Sequence, residues 1–456
     1  MDDNPNLTVL QRSRISPPPA TIGHRSLPLT FFDITWLTFP PLHHLFFYHF
    51  PHSKSHFMET VVPNLKHSLS VTLQHYFPFV GNLVVFPYSS RKPEIRHVEG
   101  DSVALTFAEY TLDFNDLTGN HPRKCEYFYP LVPPLGSTVK ESDYVTLPLF
   151  SVQVTYFPNS GISIGMTNHH SLGDANTRFG FLKAWTSIYK SGGDQSFLMN
   201  GSPPIYDRLV DIPKLDEIRL KETRLEGFYQ PPSLVGPTDG LRATFVLART
   251  HINGLKKHVL TQLPSLEYVS SFTVTCGYLW SCIVKSLVKV GEEKGEDELE
   301  QFVIAVDCRS RLDPPLPTTY FGNCSAPCVV SIKHGVLIGE NGFVIAAKLI
   351  GEGIKKMVNN KEGILKDAEK WHDGLKNPAR KMSVSGTPKL NFYDTDFGWG
   401  KPIKYECLSI DYMGSVAINA SKESTQDLEI GVCYPSMQME VFAKIFNDGL
   451  ENAIVS

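Results

Sequence analysis

The sequence predicts a mixed α/β protein built from two domains. Its 456 residues exceed what a single hydrophobic core usually supports, so two domains of roughly 200 residues each are expected. Strand and helix patterns occur in both halves, but without the strict alternation of a doubly wound sheet. The stretch 191–240 is rich in glycine, proline and charge. It predicts a linker between a domain at 1–190 and a domain at 241–456.

Apolar periodicity predicts the elements of the first half. Residues 57–76 place valines and leucines at helical spacing. Residues 149–157 and 162–167 alternate apolar and polar side chains on either side of the turn "PNSG", which predicts a β-hairpin. From Phe179 onward, large apolar residues recur at helical intervals. The polar stretch "NHHSLGDA" (168–175) therefore lies in a loop between a strand and a helix.

The second half carries its own strands and helices. The segments "LRATFVLART" (241–250) and "QFVIAVDCRS" (301–310) are typical of strands, and 270–290 has the apolar density of a mostly buried helix. The run "GEEKGEDELE" (291–300) indicates a solvated loop.

Composition narrows the classes of function. A net charge of -4 and a pI near 6.5 give no reason to expect nucleic acid or an anionic membrane as partner. The N-terminus lacks the basic and apolar regions of a secretory signal, and prolines, histidines and an aspartate interrupt the apolar run 31–50. Eight cysteines without a CxxC pair favour buried thiols. We therefore expect a cytoplasmic protein that does not contact a membrane.

Three short motif matches do not predict function. "GISIG" fits GxSxG, but Ser163 lies in mid-strand rather than on a nucleophile elbow. "DFG" at 396–398 lacks the lysine strand and HRD loop of a kinase. The histidines between 43 and 56 lack the spacing of a metal site, so no metal is expected.

His170 and Asp174 form an HxxxD motif in the loop after the hairpin. Imidazole accepts and returns a proton near pH 7, so His170 is suited to act as a general base. The alternative is a polar turn in which Asp174 caps the following helix and His170 hydrogen bonds locally.

Other motifs follow in a fixed order along the chain. "LTFFDITWL" (29–37) precedes the HxxxD, and "SSFTVTC" (270–276), "DCRSRLDPPLPTTYFGNC" (307–324) and "SGTPKLNFYDTDFGWGKP" (385–402) follow it. This ordered set resembles the BAHD family of plant acyl-CoA-dependent acyltransferases over nearly the whole chain. Within that family it is most similar to the anthocyanin and flavonoid glucoside malonyltransferases.

The resemblance implies two domains related to chloramphenicol acetyltransferase, with a solvent channel between them. Acyl-CoA would enter from one face and the acceptor from the other, with His170 reachable from both. The expected protein is a monomer that uses malonyl-CoA as co-substrate and needs no cofactor.

The resemblance also assigns supporting residues. Asp174 would pair with Arg309, or failing that with Arg311, and so fix the catalytic loop. The "DFGWG" residues would shape the channel without taking part in the chemistry; they are Asp396, Gly398, Trp399 and Gly400.

Contacts to the acyl donor are predicted from position along the chain and from residue type. By position before "DFGWG", Ser385 or Thr387 would face the thioester oxygen, although ordinary loop packing explains them equally well. The candidate cations for the phosphates of CoA are Lys256, Lys257, Arg380 and Lys381, for each of which a solvated surface is the alternative.

Arg178 is the candidate ligand of the acyl group. A guanidinium one turn after the catalytic loop would clamp the free carboxylate of malonyl-CoA. The alternative is an i, i+4 pair with Asp174 on a helix surface. Aromatic faces for a flavonoid could come from four residues that would otherwise be core: Phe32, Trp36, Tyr320 and Phe321.

These expectations predict transfer of malonyl from malonyl-CoA to a sugar hydroxyl, the glucose 6-hydroxyl, of an anthocyanin or flavonoid glucoside. A hydroxycinnamoyl-CoA-dependent transferase acting on the same acceptors is the alternative within the enzyme class. A catalytically silent phenolic-glycoside binding protein is the alternative outside it.

Overall fold

The structure is a computed structural model that describes residues 4–200, 203–223, 236–237, 239–376 and 378–455. Part of the predicted linker 191–240 therefore lies outside the described residues. Its described part contains two helices, so it is not structureless throughout.

The strands are numbered along the chain. They are β1 Leu7–Ile15, β2 Arg25–Pro28, β3 Leu42–His49, β4 Asn82–Val85, β5 Glu94–His97, β6 Val103–Tyr110, β7 Arg123–Lys124, β8 Val139–Lys140, β9 Val145–Pro148, β10 Phe150–Phe157, β11 Gly161–Asn168, β12 Gly240–Leu247, β13 Leu299–Asp307, β14 Ser325–Lys333, β15 Arg380–Ser385, β16 Lys404–Cys407, β17 Ser415–Ala420 and β18 Leu428–Pro435.

The α-helices are numbered in the same way. They are α1 Phe31–Ile34, α2 Lys54–His56, α3 Val62–His75, α4 Phe77–Val80, α5 Phe114–Thr118, α6 Ala175–Lys190, α7 Ser196–Asn200, α8 Pro213–Thr223, α9 Arg249–Gln262, α10 Ser271–Lys289, α11 His334–Ile338, α12 Gly342–Val358, α13 Ile410–Met413 and α14 Ser436–Val455. A π-helical turn at Phe57–Val61 leads into α3.

These elements confirm the mixed α/β class. The first sheet has the order β1-β6-β10-β11-β3-β16, and the second has the order β14-β13-β15-β17-β18-β12-β7. A small sheet has the order β2-β5-β4-β9-β8. Both large sheets mix parallel and antiparallel pairs: β10 is parallel to β6, and β15 is parallel to both β13 and β17.

The predicted hairpin is confirmed. β10 and β11 pair antiparallel, from Phe150 opposite Asn168 to Phe157 opposite Gly161. Both strands are buried throughout, because β6 and β3 flank them on either side. The hairpin therefore carries the HxxxD loop at the end of a rigid central strand.

Two strands cross between the halves of the chain. β16, from the second half, joins the first sheet beside β3, and β7, from the first half, joins the second sheet beside β12. The boundaries at 190 and 240 stay a prediction, but the two halves are connected through their sheets.

The acidic run 291–300 is only partly the predicted loop. Its last two residues begin β13, and Glu300 is buried, with hydrogen bonds from Arg380 and His334. Pairing with two basic side chains allows this carboxylate to lie inside the protein.

The helix predicted at 270–290 is confirmed as α10. By length and composition it could cross a membrane, but 72% of its most apolar window is buried inside the protein. It packs in the hydrophobic core of the second sheet, with Trp280 among its fully buried side chains.

Candidate active site

The HxxxD loop is short and strongly constrained. β11 ends at Asn168, a single 3-10 turn spans His170–Leu172, and α6 begins at Ala175. Gly173 has a φ of +155°, and a Cβ there would come within 2.7 Å of the side chain of Thr177. The tight junction between loop and helix therefore requires a residue without a side chain.

The imidazole of His170 lies between two aromatic side chains. Trp36 stacks on it with ring centroids 3.8 Å apart and an interplanar angle of 5°. Phe39 meets it edge to face at 5.7 Å. His170 is nevertheless partly exposed, so a substrate can reach it.

The electrostatics of the site favour neutral His170. Burial, reinforced by the positive charge of Arg178, lowers the pKa of its imidazole to about 3. The backbone carbonyl of His170 itself and the side chain of Asn323 act in the opposite direction. A neutral ring at physiological pH is the state that a general base requires.

The side chain of Asp174 stabilises the loop and forms no hydrogen bond with the imidazole among the described contacts. Arg309 donates to it twice, from Nη1 to Oδ2 at 2.7 Å and from Nη2 to Oδ1 at 3.1 Å. Its Oδ1 also accepts from the backbone N–H groups of Asn176 and Thr177, at 3.1 and 3.3 Å. The predicted ion pair and the alternative helix cap are thus both present. Arg311 donates to the backbone oxygen of Asp307 instead.

The "YFGNC" segment packs directly against this loop. Arg309 Nη2 donates to the carbonyls of Tyr320 and Gly322, and the Cys324 N–H donates to Asp174 Oδ2. The hydroxyl of Thr177 also donates to the Gly322 carbonyl at 3.0 Å. Two motifs that lie far apart in sequence therefore form one hydrogen-bonded unit.

Sequence reasoning missed the link between this unit and α1. Asn323 Nδ2 donates to the His170 carbonyl at 3.1 Å and to Asp33 Oδ1 at 3.0 Å. Asp33 is fully buried and forms an ion pair with Arg208 at 3.5 Å. The only signal in the sequence is an aspartate inside the apolar run "LTFFDITWL", where a buried carboxylate needs partners.

Arg178 lies in the same interior. Its Nη1 donates to the Gly173 carbonyl at 3.0 Å, and its Nε is buried without a hydrogen-bond partner among the described residues. Burial lowers the pKa of this guanidinium, and the negative charge of Asp174 acts against that effect. Within the described part of the chain it forms no salt bridge with a carboxylate. The alternative ion pair with Asp174 is not formed as a salt bridge among the described residues, where that carboxylate pairs with Arg309.

His44 and Tyr405 lie close to Arg178 and were not predicted. His44 Nδ1 is hydrogen-bonded to the Tyr405 hydroxyl at 2.8 Å. Burial, together with the charge of Arg178, lowers the pKa of His44 well below its usual value. The sequence placed His44 only in a cluster of histidines without ligand spacing, and its position beside Arg178 depends on the β3–β16 pairing.

Comparison with known proteins identifies the family. The model of the Transferase family matches residues 6–448, which is most of the chain. The protein is a BAHD acyltransferase. It is 77% identical over its full length, and the full length of the relative, to the malonyl-coenzyme A:anthocyanin 3-O-glucoside-6''-O-malonyltransferase of Dahlia pinnata. It is 42% identical to the malonyl-coenzyme:anthocyanin 5-O-glucoside-6'''-O-malonyltransferase of Salvia splendens, over 96% of this chain and 94% of that one.

A solved structure confirms the fold. Vinorine synthase superposes with a TM-score of 0.69, covering 95% of this chain and 96% of its own, at 18% sequence identity. The BAHD acyltransferase therefore has the chloramphenicol-acetyltransferase-like fold that the family resemblance implied.

Not every predicted donor contact of this BAHD acyltransferase lies against His170. Ser385 ends β15 with its hydroxyl 3.3 Å from that of Ser415, and Thr387 accepts from the Lys389 N–H at 3.3 Å. Neither has a hydrogen bond to the His170 ring within the ranges that the structure covers. Their role at the thioester oxygen stays a prediction.

The candidate CoA cations divide into two groups. Arg380 donates to Glu300 at 2.6 Å, so this guanidinium is engaged within the protein. Lys256 and Lys257 lie on α9, where Lys257 is exposed and the ammonium of Lys256 is 6.0 Å from the ring of Tyr268. Lys381 is exposed on β15.

The predicted acceptor aromatics are not equivalent. Phe32 is buried in the core of the second sheet, so its ring is not presented to an acceptor. Tyr320 and Phe321 are also buried, but they line a cavity of about 200 Å³ on the face of α6 opposite Arg178. His170 is not among the residues that line this cavity. Of these four aromatic residues, Trp36 is the one that stacks on the His170 ring in the described structure, and the channel stays a prediction.

The "DFGWG" loop of the BAHD acyltransferase connects the halves of the chain. Asp396 accepts from the N–H groups of Gly398 and Gly400, at 2.7 and 3.0 Å, and from Lys190 at 2.8 Å. Both glycines have a φ of +98°, a conformation that other residues rarely adopt. Trp399 donates to the hydroxyl of Tyr189 at 3.2 Å. These contacts fit an architectural role.

Proposed function

We propose that this enzyme transfers malonyl from malonyl-CoA to the 6-hydroxyl of the glucose of an anthocyanin or related flavonoid glucoside. One observation carries the proposal beyond family membership: Arg178 presents a partly buried guanidinium, which forms no salt bridge within the described chain, beside the histidine of the HxxxD motif. Leaving a buried charge unpaired is costly. A site that retains one is suited to a substrate that supplies the opposite charge, and malonyl-CoA ends in a free carboxylate.

The similarity to the Dahlia enzyme supports the same substrates. At 77% identity over the full length, donor and acceptor pockets built from the same fold are expected to select similar ligands. The name of that enzyme specifies both malonyl-CoA and the 6''-hydroxyl of an anthocyanin 3-O-glucoside.

The chemistry follows from the neutral imidazole. His170 removes the proton of the sugar hydroxyl while the hydroxyl oxygen bonds to the thioester carbon. The resulting tetrahedral oxyanion collapses, the carbon–sulfur bond breaks, and the CoA thiolate takes the proton back from the imidazolium. The malonyl ester and CoA leave. General-base catalysis of this kind contributes about 10² to 10⁴ in rate.

No acyl-enzyme is required by this sequence of steps. Ser163, the serine of the GxSxG match, lies in the middle of β11 and is buried. A nucleophile needs an exposed turn and an adjacent base. Direct transfer within a ternary complex therefore accounts for the reaction.

Donor binding would also activate the base. Arg178 disfavours the protonated ring of His170 in the free enzyme. When the malonyl carboxylate pairs with Arg178, that unfavourable charge is neutralised and His170 becomes more basic. A hydroxycinnamoyl donor has no carboxylate and would leave Arg178 unpaired, which argues against that alternative.

A substrate panel tests the proposal. Malonyl-CoA and coumaroyl-CoA are each incubated with cyanidin 3-O-glucoside, and product mass and free CoA thiol are measured. We expect a mass gain of one malonyl group and acceptor-dependent thiol release. Coumaroylation at a higher rate would favour the alternative donor, and acceptor binding without thiol release would favour a silent binding protein.

The role of His170 is tested with His170→Ala. We expect kcat to fall by about 10² to 10⁴ while circular dichroism shows a folded protein. Transfer at the parent rate would contradict general-base catalysis by this residue.

Three further proposals are a cytoplasmic location, a monomeric state and the lack of a cofactor. Cell fractionation would test the first, light scattering the second, and activity after exhaustive dialysis the third.

A further inference from the structure

The environment of His170 poses a specific electrostatic problem. In the proposed reaction the ring becomes an imidazolium, yet none of the described carboxylates forms a hydrogen bond or salt bridge with it. Asp174, the nearest one in sequence, is held by Arg309. Arg178 opposes a positive charge on the ring. Apart from the His170 carbonyl and the Asn323 side chain, which favour the protonated ring, stabilisation of the imidazolium must therefore come from a group other than a carboxylate.

Trp36 provides such a group. Its ring lies parallel to the imidazole, with centroids 3.8 Å apart and an interplanar angle of 5°. The face of an indole carries partial negative charge, and among aromatic side chains it attracts a cation most strongly. The attraction is weak while His170 is neutral and strengthens when it is protonated. Interactions that strengthen towards the transition state are those that accelerate a reaction.

The position of Trp36 is held by the same network that holds His170. The Trp36 N–H donates to the Asp33 carbonyl at 3.0 Å, and Asp33 Oδ1 accepts from Asn323 Nδ2. Asn323 Nδ2 also donates to the carbonyl of His170. One amide group therefore ties the segment that carries the indole to the residue that carries the imidazole.

The stack also leaves an open edge. Trp36 and His170 are both partly exposed, and Trp36 covers one face of the imidazole. A hydroxyl must therefore approach the edge of the ring, and because Nδ1 is buried, Nε2 is the nitrogen left to accept its proton. Fixed ring orientation of this kind lowers the entropy cost of reaching the reactive geometry.

We propose that Trp36 is a positioning residue that holds the His170 ring against its indole face and stabilises the imidazolium formed during acyl transfer. The inference rests on the proposed function, because it requires His170 to become protonated in the reaction. It gives Trp36 a role beyond lining a passage for the acceptor.

Substitutions at position 36 test this role. Trp36→Leu keeps an apolar cover but removes the aromatic face, and we expect kcat to fall about 2- to 30-fold with the KM for malonyl-CoA within about twofold of the parent value. Trp36→Phe keeps an aromatic face and should recover part of the loss. Phe39→Leu is the matched control, because it removes a second aromatic contact to the same ring without removing the stacked face. We expect its kcat to fall less than that of Trp36→Leu, because the stacked indole face is kept.

A spectroscopic measurement checks the stack without relying on activity. In proton NMR, the ring current of the indole should shift the His170 ring protons upfield, with the assignment made by loss of those signals in His170→Gln. The upfield shift should disappear in Trp36→Leu and persist in Phe39→Leu. Unshifted His170 signals in the parent protein would overturn the proposal.

The kinetic outcomes separate this inference from the proposed function. If His170→Ala is inactive and Trp36→Leu matches the parent in kcat, the role of Trp36 is wrong and the general base stands. If Phe39→Leu loses as much kcat as Trp36→Leu, packing and not the aromatic face is responsible, and the role of Trp36 is again wrong. If His170→Ala is fully active, the proposed mechanism itself fails.

Discussion

Arg309 donates two hydrogen bonds to Asp174, at 2.7 and 3.1 Å, although 135 positions separate the two residues in the chain. The Arg309 side chain is 2% exposed and that of Asp174 is 15% exposed. The pair thus lies largely out of water and joins the HxxxD loop to the segment that leads into "YFGNC". It fixes the loop without contacting the imidazole.

Breaking this pair should destabilise the protein. In Asp174→Asn the guanidinium of Arg309 loses its main partner and stays buried, so we expect the free energy of unfolding to fall by about 3 kcal/mol, measured by urea titration. Asp394→Asn is the control, because its 2.8 Å pair with Lys401 is exposed and should contribute at most about 1 kcal/mol. Equal losses in the two variants would contradict the structural role.

Arg178→Gln should change the choice of donor. The variant removes the charge that would pair with the malonyl carboxylate, so we expect kcat/KM for malonyl-CoA to fall about 10- to 100-fold, the range for a charged hydrogen bond. The value for coumaroyl-CoA should change little. Arg14→Gln, at an exposed arginine on β1, should leave both values unchanged. An unaltered ratio between the two donors would exclude Arg178 as the carboxylate ligand.

Stability should fall on acidification because several histidines are buried and neutral. Burial lowers the pKa of His43 and His169 to about 4, and that of His170 to about 3. These groups bind protons in the unfolded chain near pH 6.5 but not in the folded one, so the free energy of unfolding rises with pH between about 4 and 6.5 and levels off above that range.

Urea midpoints between pH 4.5 and 8 measure this dependence. His169→Gln should reduce the slope below pH 6.5 by up to about 1.4 kcal/mol per pH unit, the contribution of one proton. His49→Gln, at an exposed position, should leave the slope as it is. Stability that increased towards acid would show that these rings are protonated in the folded state.

Asp396→Ala should affect stability more than chemistry. The change removes the acceptor of two backbone N–H groups and the partner of Lys190, so we expect a loss of about 1 to 3 kcal/mol. Below the unfolding transition, kcat and both KM values should stay within about threefold of the parent. A large loss of kcat in a protein of unchanged stability would assign the "DFGWG" loop to the chemistry.

Local patterns predicted much of the fold. The β10–β11 hairpin and the helices α6 and α10 each follow from periodicity within one segment. The burial pattern of a strand or helix repeats every two or every three to four residues, so it can be recognised from neighbouring residues alone. Strand order was not predictable in this way. The crossing of β7 and β16 between the sheets depends on pairing between distant segments, which leaves no local signature.

The residues of the candidate site also fall into a predicted group and an unpredicted group. His170, Asp174, Arg309 and Arg178 were predicted from the motif and from family resemblance. The roles of Asp33 and Asn323 were not, because a buried amide or carboxylate is identified by its partners and not by its neighbours in sequence.

By itself, the sequence determined the class of fold, the family and the identity of the histidine that would act as base, because each depends on residue types at short or ordered spacing. Only the tertiary structure decided that Trp36 stacks on that histidine, that Arg178 forms no salt bridge among the described residues, and that Asn323 links Asp33 to the His170 carbonyl. These relationships join segments far apart in the chain. The packing of the folded chain, and not the spacing of residues in the sequence, determines which distant side chains come into contact. It also determines which charged side chains have no partner within the protein and can pair with a substrate.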